Sequence, residues 1–417
     1  MHNICGIDFG TSNSAISIVD GDTVKLAEVE GDKPTIPTAL FFDAVHNQTL
    51  FGRAAQDQYI ENGEGRFMRS LKRILGTPLM TQKTAVNGGW MEFPDIIAKF
   101  LMHIKAKAEA QNDSVLNSVV MGRPVFFVDG DDAANKRAEG ELKQIARSVG
   151  FKNIEFQFEP IAAAFSHEHQ IAGEKLALVV DIGGGTSDFT VIRLSQDRKG
   201  APDRLQDVLA NTGVRIGGND FDRDISVDYL MPHLGLGTTY GPKTLSVPRH
   251  SYFDIAEWSK VNFVYTDKIL KEFEGMLRIS HAPDRLSRFV KVLEFQLGHY
   301  LISKTEGAKI DLSTCDDAVM HLHEIENDLS ISVTQREMAD AIIERIKCLD
   351  VEISNCLNVA DVKPVDIDLV IMTGGSTELP MIQDLVSQKL PHAEVVEQNR
   401  MSSVALGLGH DAMRRFA

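Results

Sequence analysis

Asp181, Gly183, Gly184, Gly185 and Thr186 stand between two apolar runs in the stretch 178–194, LVVDIGGGTSDFTVIRL. Successive glycines admit positive φ and let backbone N–H groups approach an anion with no Cβ in the way. A carboxylate ending the preceding strand is placed to hold a hydrated Mg²⁺, and a threonine hydroxyl to bond a terminal phosphate. An ordinary glycine-rich hairpin is the competing reading of this stretch alone. The stretch 4–18, ICGIDFGTSNSAISI, favours the first, because Asp8, Gly10, Thr11, Ser12 and Asn13 repeat the succession with one glycine fewer. A phosphate hairpin present twice implies two related lobes, each offering one hairpin to a nucleotide between them.

The elements that must position these residues are read from apolar spacing. Strands are predicted at 24–29, 39–42, 119–127, 317–325 and 369–372, and helices at 52–62, 93–110, 132–149, 334–357, 380–390 and 403–416. The stretch 66–75, RFMRSLKRIL, reads as a basic helix closed by Gly76. By charge alone, the face carrying its Lys72 and Arg73 is a solvated surface. Glu159 precedes Pro160 at a predicted helix start, where a carboxylate caps the dipole without being barred from chemistry. The run 212–222 is another glycine turn entering a helix, and 252–309 is a charge-rich helical block with the character of a separate subdomain. His321 and His323 share a strand face with no third ligand at metal spacing, which argues against a metal there.

The totals narrow the function classes. A chain of 417 residues needs two or more domains. Its 43% hydrophobic and 24% charged residues are those of an ordinary globular protein. A formal net charge of −16 argues against a grip on nucleic acid. Cys5, Cys315, Cys348 and Cys356 show no CxxC pair and read as buried thiols in a reducing compartment. With no leader-like start and no apolar run of membrane-spanning length, the expected location is cytoplasmic, without a membrane partner.

The pieces GIDFGTSNS, LKRILG, EPIAAA, VDIGGGTSDF, IGGNDFD, EGAKIDLS and MTGGSTELP, in this order, resemble the nucleotide-binding domain of the heat-shock protein 70 (DnaK) family. That family lies in the actin-like ATPase superfamily. The resemblance runs nearly end to end and thins between 224 and 298. It implies an α/β actin-like fold of two lobes, each a ribonuclease-H-like mixed sheet flanked by helices, with a nucleotide cleft between them. Lobe I would span 1–170, with a subdomain near 37–112, and be completed by 398–417. Lobe II would span 171–397, with a subdomain near 223–312.

The resemblance also implies ATP or ADP with Mg²⁺ as cofactors, and roles by position. Asp8 and Asp181 would hold Mg²⁺ through waters. Gly10, Thr11, Ser12, Asn13, Gly183, Gly184, Gly185 and Thr186 would cradle the β- and γ-phosphates. Lys72 would touch the γ-phosphate, against its surface reading, and Glu159 would orient the attacking water with help from Asp181. Gly217, Gly218, Glu306, Lys309, Ser313, Gly374, Gly375 and Ser376 would line the adenosine pocket. Pro124 falls where the family has a proline linking nucleotide state to lobe motion. One departure stands out: the family clamps adenine between two arginines, and Ile310 and Glu378 occupy those positions here.

The implied activity is slow ATP hydrolysis by a chaperone-like switch. A small-molecule kinase and a filament-forming actin-like protein are the alternatives from the same superfamily. The chain ends at Ala417, where the family continues into a peptide clamp. It thereby resembles the divergent YegD-like branch, and another protein chain is expected to supply client binding or nucleotide exchange.

Overall fold

Both glycine turns close β-hairpins, as the β-branched apolar runs on either side require. Ile4–Phe9 pairs antiparallel with Asn13–Asp20, and Glu174–Ile182 with Ser187–Ser195. The structure is a computed structural model describing residues 3–61, 64–128, 131–168, 173–198, 204–258, 260–396 and 402–416. The expected lobe junctions at 170–171 and 397–398 lie outside the described residues. Contacts divide the chain into two units. One comprises Met1–Val214, Glu352–Thr377 and Ser387–Ala417, and the other Arg215–Val351 and Glu378–Val386.

The first unit holds two sheets built on one plan. In the first, the order is Asn153–Phe158, Ser118–Arg123, Ile4–Phe9, Asn13–Asp20, Thr23–Leu26. In the second it is Glu394–Val396, Leu369–Thr373, Glu174–Ile182, Ser187–Ser195, Val208–Val214. Each sheet joins an antiparallel meander to two parallel strands on the far side of its first strand. The two sheets thus repeat one mixed α/β plan, as the paired hairpins imply.

Helices Glu159–Glu168 and Ser403–Phe416 fill a core shared by both sheets, with Val120, Ala162, Val179, Ile371 and Leu408 among its buried members. The helices meet backbone to backbone, since a Cβ on Gly407 would fall 1.8 Å from the Ala162 carbonyl oxygen. Gly407→Val is therefore expected to cost about 3 kcal/mol. A melting temperature lower by about 5 °C checks this by differential scanning fluorimetry, whereas a value unchanged within about 1 °C contradicts it. A separate core joins the first sheet to helices Phe93–Asn112 and Asp132–Ser148.

Several expectations need correction. The strand expected over 317–325 ends at His321, leaving His323 beyond it, and the one expected over 24–29 ends at Leu26. The stretch 66–75 is not one helix: Gly65–Arg69 is a strand antiparallel to the buried strand Ala39–Asp43, and Leu71–Ile74 is a single 3₁₀ turn. Ser70, at φ 58°, breaks the chain between them. Sheet pairing outweighs the helical spacing. The strand expected to reach residue 127 stops at Arg123, because Pro124 has no N–H for the ladder. Cys5 and Cys356 are buried, but Cys315 and Cys348 are exposed.

In the second unit, helix Gly218–Ile225 comes directly after the third glycine turn. Helices His250–Ile255, Asp267–Leu277 and Pro283–Glu294 then meet at Tyr252, Phe273 and Phe289, while Gly298–Asp311 packs against Gly218–Ile225 and the strand Asp317–His321. Tyr252 stacks on Phe289 at 3.9 Å and donates its hydroxyl to the Leu234 carbonyl. The hairpin Asp317–His321 and Ser330–Thr334 places the His321 and His323 rings face to face, 5.4 Å apart. Among the described residues, no helix is long and apolar enough to cross a membrane.

Candidate functional site

The chemistry-bearing residues of the first unit come from loop ends on both sheets. In the first hairpin, Gly10 lies so close to Asn13 that a Cβ would stand 2.1 Å from its carbonyl oxygen. Thr38 braces this turn: its N–H donates to the Ser12 carbonyl at 2.8 Å and its hydroxyl to the Gly10 carbonyl at 2.9 Å. Sequence reasoning does not single out Thr38. The only signal is a hydroxyl residue beside Pro37 in an otherwise apolar run. Thr11, Ser12 and Asn13 remain half-exposed along the turn.

The second hairpin is closed by the Gly183 N–H donating to the Thr186 carbonyl at 3.0 Å. Gly184, Gly185 and Thr186 are half-exposed, as an anion-facing turn requires. The turn after Leu369–Thr373 crosses over this hairpin's end. Gly374 takes φ 83° there, and a Cβ would lie 2.4 Å from the Ile182 carbonyl oxygen and 2.9 Å from Asp181 Oδ1. The Ser376 hydroxyl donates to the Gly183 carbonyl at 3.4 Å. Asp181, Gly183, Gly374 and Ser376 are thus brought together, with Gly375 in the same turn.

Lys72 is not on a solvated face. Its ammonium donates to Glu159 Oε1 at 2.6 Å, and the two side chains are only 10% and 13% exposed. Glu159 opens helix Glu159–Glu168, and Gly122 leaves it room, since a Cβ there would stand 3.1 Å from Glu159 Cγ. Burial alone would pull the Lys72 ammonium down, but Glu159, Asp8 and Asp181 outweigh it and hold the lysine above its usual range. Arg73 also reaches the site, its Nη1 lying 3.8 Å from where a Cβ on Gly185 would stand.

The carboxylates feel the opposite force. Burial, then the charge of Glu159, pushes Asp8 up to about 7 despite Lys72. Burial, then Asp188, Glu159 and Asp8, pushes Asp181 up to about 8. Asp188 sits opposite Asp181 across the hairpin and has no role in the sequence assignment. A small cavity of about 20 Å³ is lined by Glu159, Asp181, Asp188, Thr190, Asn211 and Thr373, room for roughly one water. A larger cavity of about 290 Å³ between Arg123, Glu139, Lys143 and Arg415 includes none of the sequence-predicted site residues.

Several carboxylates crowded around one lysine fit a hard divalent cation, whose charge removes the repulsion that raises Asp8 and Asp181. Among the described residues, no three His, Cys, Asp or Glu side chains converge closely enough to ligate a metal directly. Asp8 and Asp181 would then act through the ion's own waters, as Mg²⁺ commonly allows.

The second unit assembles its own set. Lys309, 8% exposed, donates to the Gly218 carbonyl at 3.2 Å and to Asp222 Oδ2 at 2.9 Å. The Gly217 N–H is held by Asp220 at 3.1 Å. Glu306 lies one turn before Lys309 on the same helix, and the Ser313 hydroxyl donates to the Lys309 carbonyl at 3.3 Å. Gly217, Gly218, Glu306, Lys309 and Ser313 therefore belong to one neighbourhood. Lys309 is occupied in fixing the glycine turn.

Compared with known families, the chain matches the family model for Hsp70 protein over residues 4–237 and 296–412. The matched segments carry both hairpins, Lys72, Glu159, Gly217, Gly218, Glu306, Lys309, Ser313 and the turn at Gly374.

Proposed function

Because this chain belongs to the Hsp70 family, with that family's actin-like ATPase fold, we propose that it is a slow, Mg²⁺-dependent ATP-hydrolysing switch. The observation that carries the reading is the Lys72–Glu159 pair at 2.6 Å among the raised carboxyls of Asp8 and Asp181. Glycine hairpins beside that pair supply N–H groups for the phosphates. On ATP binding, Lys72 exchanges Glu159 for a γ-phosphate oxygen. Glu159, released, orients the attacking water, for which the small cavity beside Asp181 has room. It takes the water's proton as the water oxygen bonds to the γ-phosphorus and the bond to the β-phosphate oxygen of the leaving ADP breaks. Mg²⁺, when bound through Asp8 and Asp181, offsets charge on the phosphate oxygens. No side chain bonds to phosphorus, so rate comes from positioning, charge and the proton transfer to Glu159. Gly217, Gly218, Glu306, Lys309 and Ser313 are the residues of the second unit assigned to the adenosine.

The switch reading assigns the protein a chaperone-like role in the cytoplasm. Phosphate release at saturating ATP, with and without EDTA, tests the catalytic part. Mg²⁺-dependent turnover is expected, and a folded protein that releases no phosphate in Mg²⁺ overturns it.

The base is held weakly in this reading. Ile310 is 60% exposed and Glu378 is exposed, where the family offers stacking guanidiniums. Each guanidinium over an aromatic ring contributes about 0.5–2 kcal/mol. Ile310→Arg with Glu378→Arg should therefore tighten ATP binding by about tenfold. Calorimetry checks this, together with GTP as competitor. Nanomolar ATP affinity and rejection of GTP by the wild type would contradict it.

A further inference from the structure

We infer that Arg137 and Glu141 are positioning residues that hold Lys72 against Glu159 by clamping the chain at Gly76. The inference rests on the ATPase reading above for its kinetic consequence, but not for its structural one.

Lys72 sits on a 3₁₀ turn of only four residues, Leu71–Ile74, too short to fix its own orientation. The chain just beyond this turn is anchored from outside. The Gly76 N–H donates to Glu141 Oε2 at 2.7 Å, and Arg137 Nη2 donates to the Gly76 carbonyl at 2.9 Å. Both residues lie on helix Asp132–Ser148, four positions apart and so on one face. A donor and an acceptor of the same residue are thus gripped by two charged side chains, the stronger kind of hydrogen bond. Gly76, at φ 76°, presses on that helix so closely that a Cβ would lie 2.7 Å from the Ala134 carbonyl oxygen.

The helix is itself immobilised. The Asn135 side-chain oxygen accepts from the Phe127 and Val128 N–H groups at 2.6 and 3.1 Å, and Glu139 pairs with Arg123. Arg123 ends the strand that carries Gly122, and Gly122 abuts Glu159. One helix therefore fixes both partners of the ion pair: Lys72 through Gly76, and Glu159 through the end of strand Ser118–Arg123. Leu71 and Leu75 are buried in the same core as Ala138 and Leu142, which keeps the turn folded whether or not the clamp is present.

The test compares wild type, Arg137→Ala/Glu141→Ala, and the conservative Arg137→Lys/Glu141→Gln in nucleotide-free protein. Lysine acetylation is followed residue by residue by mass spectrometry. In the alanine variant Lys72 should label about tenfold faster than in wild type, with Lys105 unchanged. The conservative variant, which keeps a donor and an acceptor, should return toward the wild-type rate. Equal labelling of Lys72 in all three overturns the inference. Phosphate release is measured on the same proteins. A fall in kcat of about tenfold in the alanine variant at unchanged KM for ATP is the expected kinetic result. Unchanged kcat alongside faster labelling overturns the claim that the clamp serves the reaction. A wild type without turnover counts against the ATPase reading alone, since labelling is read without ATP.

Discussion

Lys72→Ala is expected to lower ATP turnover by about a hundred- to a thousandfold, the usual loss when a positioned charge stabiliser is removed. The lysine is nearly buried and its ammonium stands above its ordinary pKa range, so it is charged at any physiological pH. It is the cation against which Glu159, Asp8 and Asp181 are set. An alanine leaves the γ-phosphate without that charge and Glu159 without its partner. ADP, which has no γ-phosphate, should keep its affinity within about threefold. The melting temperature falls as well, because a buried partner is left unpaired. Turnover is therefore compared on protein shown to be folded by circular dichroism at the assay temperature. Hydrolysis by the variant at the wild-type rate would mean the site is misassigned.

Asp181→Asn should separate stability from activity. The carboxyl of Asp181 is raised to about 8 by burial and by Asp188, Glu159 and Asp8. A carboxyl with a folded pKa above its unfolded value stabilises the fold when protonated, and that contribution is lost as pH rises toward the folded pKa. For Asp181 the loss runs from about pH 4 to about pH 8. Asparagine keeps the shape, never ionises and removes the slope. In metal-free, nucleotide-free protein, the variant's melting temperature should exceed the wild type's by a margin that grows between about pH 5 and about pH 8. Turnover should fall by about a hundredfold or more, because the variant can no longer hold the cation's waters with a charge. A margin that shrinks with rising pH would contradict the assigned electrostatics.

The hairpins are legible in the sequence because their residue types leave few options. An acidic residue, glycines and a threonine between β-branched runs spell a turn that faces an anion, and repetition at Asp8 and Asp181 removes the ambiguity. The turn at Lys72 is not legible in the same way. RFMRSLKRIL has helical spacing, and only pairing of Gly65–Arg69 with a distant buried strand, with Ser70 left-handed, makes it strand and turn. Charge alone places Lys72 in water, and only the family resemblance brings it to the site. Thr38, Asp188, Arg137 and Glu141 escape because their partners are set by tertiary packing. Glu141 and Arg137 meet Gly76 across 65 and 61 residues of chain. The resemblance thins from about 224 to 298, and the family match is interrupted between 237 and 296, so this helical block is read from periodicity alone.

Phosphates and metal together are expected to supply most of the hold on the nucleotide. Calorimetric titration of the wild-type protein with ATP, in Mg²⁺ and again in EDTA, measures that. One site is expected, with affinity lower by about tenfold or more in EDTA. No binding heat in Mg²⁺, or the same affinity in both buffers, would contradict it.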